Sequence, residues 1–197
     1  DEGPDLLISF VEQEVQRVTG DAVSVGLTGF PDDALDADDG DVIVLPGDTP
    51  LLEPSTIAAL VALHRERDAA CTLLSADVPD HTGYGRVVRG RDDRVERIVE
   101  DKDATDDERA ISEVNTSIYC FRRSVLAPAL RRTNPENSQG EFYLTDVVQV
   151  LHEAGYPVAS LVMDDPLEAS GINDRVQLAA AEAVLRRRTA EKWLRAG

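Results

Sequence analysis

Residues 41–52 read DVIVLPGDTPLL, a short apolar run that stops at Pro46-Gly47-Asp48. A run of this length closed by Pro and Gly reads as a buried strand entering a turn. In open α/β sheets ligands bind outside the carboxyl ends of the strands, which places Asp48 where chemistry is done. The competing reading is a plain turn carboxylate, because Asp and Gly are frequent turn residues.

Outward from this junction, strands and helices alternate. Residues 6–11 (LLISFV) pattern as a strand, and a helix-compatible stretch runs from Thr19 to Gly29. Pro54-Ser55-Thr56 opens an amphipathic helix in which Ile57, Leu60, Val61 and His64 recur at helical spacing. Residues 70–78 read as a strand, and RVVRG and RVERIVE flank Arg91-Asp92-Asp93 as an antiparallel ribbon. A strand at 111–121, helices near 123–132 and 143–154, a strand at 157–163 and a long helix from about 174 complete the order. Strands interleaved with helices predict an α/β fold with a mainly parallel sheet and the ribbon as its antiparallel insertion.

At 197 residues the chain suits one domain, and 42% hydrophobic with 29% charged residues is an ordinary globular composition. No apolar stretch approaches the ~20 residues a membrane span needs. The net charge of −18 repels phosphate backbones and argues against nucleic-acid partners. Much of the acidity lies in an aspartate loop (Asp32, Asp33, Asp36, Asp38, Asp39). Cys71 and Cys120 are far apart with no Cys-x-x-Cys, which fits a reduced, cytoplasmic setting. His64, His81 and His152 are scattered and read as surface or loop residues rather than metal ligands.

Four further segments join Asp48, each with a plainer alternative. In Thr82-Gly83-Tyr84-Gly85-Arg86 the glycines mark a tight turn or a close approach to a ligand; the alternative is a hairpin entry. Glu100 ends the ribbon in VEDKDA, or is an edge carboxylate. Asn115 interrupts an apolar strand, where a buried amide needs partners from a ligand or a neighbouring loop. Gly171-Ile172-Asn173-Asp174-Arg175 precedes a helix and could be a plain N-cap.

Taken in order, QEVQRVTG (13–20), LPGDTPLL, GYGR, IVEDKDA, EVNTSIY, GEFYLTDV and GINDRVQL resemble the uridylyltransferase domain of the bacterial bifunctional N-acetylglucosamine-1-phosphate uridylyltransferase/glucosamine-1-phosphate acetyltransferases. The resemblance implies a Rossmann-like nucleotide-diphospho-sugar transferase fold. It also implies a nucleotidyltransferase that joins UTP and N-acetylglucosamine-1-phosphate into UDP-N-acetylglucosamine and pyrophosphate, for cell-wall precursor synthesis. Residue by residue, it implies that Gln13 and Thr19 line the uracil pocket and that Gly85, Glu100 and Asn115 hold the sugar. Asp48 and Asn173 match the family's Mg²⁺ positions, and their oxygen donors suit that ion. Tyr143 and Thr145 fall in a motif near the sugar and receive no role. The implied reaction needs no protein nucleophile, so no catalytic acid–base pair is assigned.

The sequence also departs from the family. The first βα unit, with its glycine-rich phosphate loop, has no counterpart, and the chain stops at Gly197 where the family enters a left-handed β-helix domain. Residues 1–197 are therefore expected to form a partial domain with little turnover of its own, and the family's oligomer forms through the domain not represented. Val18 stands where the family has glycine beside the base. The alternatives are a sugar-phosphate thymidylyltransferase and a noncatalytic nucleotide-sugar binding module.

Overall fold

The computed structural model describes residues 8–15, 18–30, 40–133 and 142–197. The aspartate loop, Gln16 and Gly140 lie outside these residues. In chain order the elements are α1 (Val18–Leu27), β1 (Asp41–Val44), α2 (Pro54–Glu66), β2 (Cys71–Asp77), β3 (Arg86–Arg89) and β4 (Val95–Val99). They continue with α3 (Asp106–Arg109), β5 (Glu113–Arg122), α4 (Arg123–Leu130), α5 (Asp146–Glu153), β6 (Val158–Val162), a 3-10 turn (Pro166–Ala169) and α6 (Arg175–Ala196). Of the strand expected over 6–11, residues 8–11 are described and carry no strand.

The six strands form one sheet in the order β4-β3-β5-β2-β6, with β1 also paired to β5. Strand β5 is antiparallel to β1, β2 and β3, while β2 and β6 are parallel. Since β3 and β4 are antiparallel, β1, β2, β3 and β6 point one way and β4 and β5 the other. The common direction of most strands and the antiparallel ribbon match the pattern read from the sequence. The reversed β5 at the centre is additional, because period-2 alternation reports which face a residue takes and says nothing of strand direction.

Alternation along the strands fills two cores. Val42, Cys71, Leu73, Val87, Ile98, Tyr119 and Phe121 face α4 and α5, meeting Leu126, Leu130, Val147 and Leu151. The opposite face presents Leu74, Ala76, Val114, Ile118 and Cys120 to Leu60 of α2 and to Met163. Each fully buried leucine of this kind is worth about 2–5 kcal/mol against alanine.

Two helix starts explain how the loops near Asp48 are held. Glu53 at the N-cap of α2 makes no side-chain cap. Its donors are satisfied from far along the chain: the Glu168 carboxylate accepts from Glu53 N at 3.0 Å and from Thr56 Oγ1 at 2.6 Å. An anion at a helix N-terminus also meets the positive end of the dipole. This anchor fixes the 3-10 turn, and residues 170–173 follow directly from it. At α6, Asp174 is the N-cap and forms a capping box with Gln177. The capping alternative for the GINDR segment is thus met by Asp174, and the Asn173 side chain stays outside it.

Buried His64 corrects the surface reading of the histidines. It is 2% exposed on the inner face of α2. Nδ1 pairs with Thr72 Oγ1 at 2.9 Å, and Nε2 lies 3.5 Å from Asp41 Oδ1. Burial lowers its pKa, with the Asp41 carboxylate opposing. The helical spacing that picked out His64 as an inward position was the better guide than its polarity.

Candidate substrate-binding cleft

A cleft of about 740 Å³ opens at the ends of β1 and β5, between the 46–51 and 82–84 loops and the start of α6. Its lining includes Thr19, Asp48, Asn115 and Asn173, four of the residues singled out from the sequence. Among the described residues no lysine or arginine lines it.

Beside the cleft a row of residues crosses three strands, of which Asn115 belongs to the lining while Gly85 and Glu100 lie just outside it. Arg86 pairs with Val99 of β4 and with Val114 of β5. Continuing that register by one residue sets Gly85 between Glu100 and Asn115, and Asn115 N indeed donates to Gly85 O at 2.8 Å. A Cβ on Gly85 would stand 3.0 Å from Ile98 Cγ2 and 3.5 Å from Glu100 Oε2, so a side chain there would crowd both, which favours the close-approach reading of this glycine. Glu100 accepts from Thr145 Oγ1 at 2.9 Å. Burial pushes its pKa up, the Thr145 hydrogen bond opposes, and Asp103 and Asp101 add to the rise. Asp146, next to Thr145, is pushed up to about 6 by burial first and then by Glu100 and Asp103.

Asn115 owes its setting to a β-bulge. The β2–β5 register jumps between Leu74, opposite Ile118, and Ser75, opposite Asn115. The extra residues are closed by Thr116 Oγ1 donating to Leu74 O at 2.7 Å and by Ser117 N donating to Asn115 Oδ1 at 3.3 Å. Ser117 takes φ of 60°, a region non-glycine residues seldom enter. Bulges re-aim side chains beside functional sites, and this one turns Thr116 and Ser117 to the cleft with Asn115. Asn115 is only 4% exposed.

The facing wall is looser. Ile172 N donates to Asp48 O at 2.9 Å, which brings the 171–173 segment against the end of β1. A Cβ on Gly171 would lie 3.4 Å from Asp48 Oδ2. Both Asp48 and Asn173 are exposed. Neither side chain has a hydrogen-bond partner among the described residues, although Asn173 N donates to Gln177 Oε1 at 2.6 Å.

The two candidates for a base pocket are not brought together. Thr19, in the first turn of α1, lines the cleft and accepts from Leu144 N at 3.3 Å. Gln13 instead donates to Asp21 Oδ2 at 2.7 Å and lines a separate shallow depression with Glu12, Asp21 and Val25. Its amide is spent on a neighbouring carboxylate, which a motif alone does not foretell. Val18 is the first residue of α1.

Residues 4–194 match the family of nucleotidyl transferases. The chain belongs to the nucleotidyl transferase family. It is 46% identical over 193 residues to the bifunctional protein GlmU of Corynebacterium aurimucosum, and 48% identical over 193 residues to that of Pseudarthrobacter chlorophenolicus. In both cases the alignment takes in 98% of this chain and 39% of the relative, so the chain spans about two-fifths of their length. Among solved structures, CMP:2-keto-3-deoxy-manno-octonic acid synthetase complexed with CTP superposes with a TM-score of 0.64 at 16% identity, over 90% of this chain and 71% of that one. That likeness shows the fold.

Elsewhere, Asp41, His64 and Cys120 bring potential metal donors within 4.8 Å of one another behind the sheet. The set is already engaged: His64 pairs with Thr72, and Arg65 Nε donates to Asp41 Oδ2 at 2.8 Å. Burial holds the Cys120 thiol protonated, its pKa pushed up to about 11. Sequence reading named Thr145 and Arg86 without giving either a role, and it missed the Thr116–Ser117 bulge. Arg86 carried a signal as a charged residue at the start of an apolar strand; a bulge inside one strand has no pattern of its own.

Proposed function

We propose that this nucleotidyl transferase handles UTP, N-acetylglucosamine-1-phosphate and their product UDP-N-acetylglucosamine. The observation that carries the reading is the Gly85–Glu100–Asn115 row: a backbone edge, a half-buried carboxylate and a buried amide, side by side next to the cleft that Asn115 lines, offer both acceptors and donors to sugar hydroxyls and an acetamido group. The naming of its relatives as GlmU supports it.

In this reading Asp48 and Asn173 hold Mg²⁺. The fit rests on two hard oxygen donors, free of side-chain partners among the described residues, facing one cleft. Mg²⁺ favours such sites because it keeps phosphate and water in the rest of its shell. When bound, it supplies charge neutralisation to the phosphates. The chain's own residues position. Glu100 and Asn115 orient the sugar so that its 1-phosphate oxygen approaches the α-phosphorus of UTP in line; a new P–O bond forms there as the bond to the pyrophosphate oxygen breaks. Thr19 meets the base from the first turn of α1, and Gln13 joins it only by leaving Asp21. No side chain acts as nucleophile or general base.

The absence of Lys and Arg from the described lining favours, as a second reading, a module that binds the nucleotide sugar without turning it over. Titration calorimetry with UDP-N-acetylglucosamine and UDP-glucose, with and without Mg²⁺, beside pyrophosphate release from UTP or dTTP, separates these. Preference for the acetamido sugar that depends on Mg²⁺ is expected. Equal affinity for the two sugars sinks the sugar assignment, preference for dTTP sinks the uridine one, and selective binding without pyrophosphate release supports the module.

A further inference from the structure

Arg86 is the one charged group among the largest fully buried side chains of the described residues, at 2% exposure. A guanidinium is kept out of water only where its donors are met. Nη2 donates to Asp101 Oδ1 at 2.9 Å and Nη1 donates to the Tyr84 carbonyl, while Nε is buried without a partner. Asp101 is itself mostly covered, with 27% of its side chain accessible. The segment that follows Asp101 is itself tied down: Arg97 pairs with Glu108, and Thr105 caps α3 in a capping box.

The positions of the two acceptors matter. Tyr84 immediately precedes Gly85, and Asp101 immediately follows Glu100. One planar guanidinium therefore holds the chain on the outer side of two of the three residues of the sugar wall. The third, Asn115, is tied to Gly85 through the backbone. We propose that Arg86 is a positioning residue for sugar recognition: it sets the spacing between the Gly85 backbone and the Glu100 carboxylate without touching the ligand. This rests on the sugar-wall reading above. Arginine is suited to it because its fork serves two acceptors in a fixed geometry, which a lysine ammonium on a flexible stem does not.

The test uses Arg86→Met, Arg86→Lys and Asp101→Asn in the full chain. Affinities for UDP-N-acetylglucosamine and for UDP are measured with Mg²⁺, and amide hydrogen exchange is followed without ligand. UDP shares the nucleotide half, so the ratio of the two affinities isolates the sugar half. Arg86→Met is expected to lower that ratio on the order of tenfold, as loss of a supporting group behind a binding contact does, with UDP nearly unchanged. Arg86→Lys should recover only part of it, and exchange should quicken at 83–85 and 100–103 together while the β2–β5 ladder holds. A fall of equal size for both ligands, or an unchanged ratio, overturns the proposal. Where Arg86→Met does not fold, Asp101→Asn reads the same ratio with one arm weakened, since Asp101 reaches solvent. A parent chain that binds UDP-N-acetylglucosamine no better than UDP defeats the sugar-wall reading instead. Exchange that quickens in only one of the two segments then still refutes Arg86 as their common tie.

Discussion

The two walls of the cleft differ in how far they are finished before any ligand arrives. The Gly85–Glu100–Asn115 wall, with Gly85 and Asn115 buried and Glu100 half-buried, is locked by register and hydrogen-bonded within itself and to Thr145. The Asp48–Asn173 wall is exposed, and its side chains have no protein partners among the described residues. A prebuilt wall spends little ordering entropy on binding and confers selectivity, because an analogue that leaves its buried polar groups unpaired is rejected. An unpartnered pair of oxygens has its energetic role only when something is bound there.

The largest effect should come from the loose wall. Asp48→Asn is expected to lower Mg²⁺-dependent affinity for UDP-N-acetylglucosamine on the order of a hundredfold, the upper range for disturbing a metal's surroundings. It should leave the melting temperature of the ligand-free chain within about a degree, since surface changes away from structural contacts cost little. Calorimetry with and without EDTA reads the first and a thermal melt the second. Retained Mg²⁺ dependence would remove Asp48 from the ligand set, and a large loss of ligand-free stability would show that the walls do not differ as described.

Asn115→Ala probes the finished wall. Loss of buried hydrogen bonds should weaken N-acetylglucosamine-1-phosphate binding by about 1–3 kcal/mol, and UTP by much less. It should also destabilise the ligand-free fold, because Asn115 Oδ1 accepts from Ser117 N within the bulge. A change in both ligands alike would make Asn115 a structural amide only.

How much of this was legible in the sequence follows from what each wall is made of. Helical spacing placed α2, alternation placed β5, and the ribbon was marked by its polar turn. Asp48 could be found because an apolar run ends on a carboxylate. The reversed direction of β5 and the Thr116–Ser117 bulge could not be read, since both depend on which strand lies alongside. Gln13 shows the limit of a motif: its amide meets Asp21, eight residues on, and that contact depends on how the chain before α1 folds back. Glu168 capping α2 across more than a hundred residues is invisible for the same reason.

That long-range cap ties the loose wall to the scaffold. Glu168→Ala should lower stability by about 1–2 kcal/mol, the range for a lost helix cap, shifting the urea midpoint at constant slope. Because the 3-10 turn leads directly to Gly171–Asn173, Mg²⁺ affinity should fall as well. Glu168→Gln keeps an acceptor and should lose less of both. Lost stability with unchanged Mg²⁺ affinity would show that the 171–173 segment is held by its bond to Asp48 alone.

The smallest effect lies behind the finished wall and depends on pH. Asp146 is pushed from near 3.8 up to about 6, first by burial and then by Glu100 and Asp103. Its folded pKa exceeds its unfolded one, so folding favours the protonated form. The stability it contributes is fully present below about pH 3.8 and is lost as pH rises through 6. Asp146→Asn, neutral at every pH, should therefore be more stable than the parent above pH 6 and converge with it near pH 4. Since Asp146 is only half-buried, solvent screening reduces the gain to about 1 kcal/mol. Urea midpoints at pH 4 and pH 8 measure it. Destabilisation at pH 8 would mean that the Asp146 anion has a partner that stabilises it, and that the acidic crowding beside Glu100 is compensated rather than tolerated.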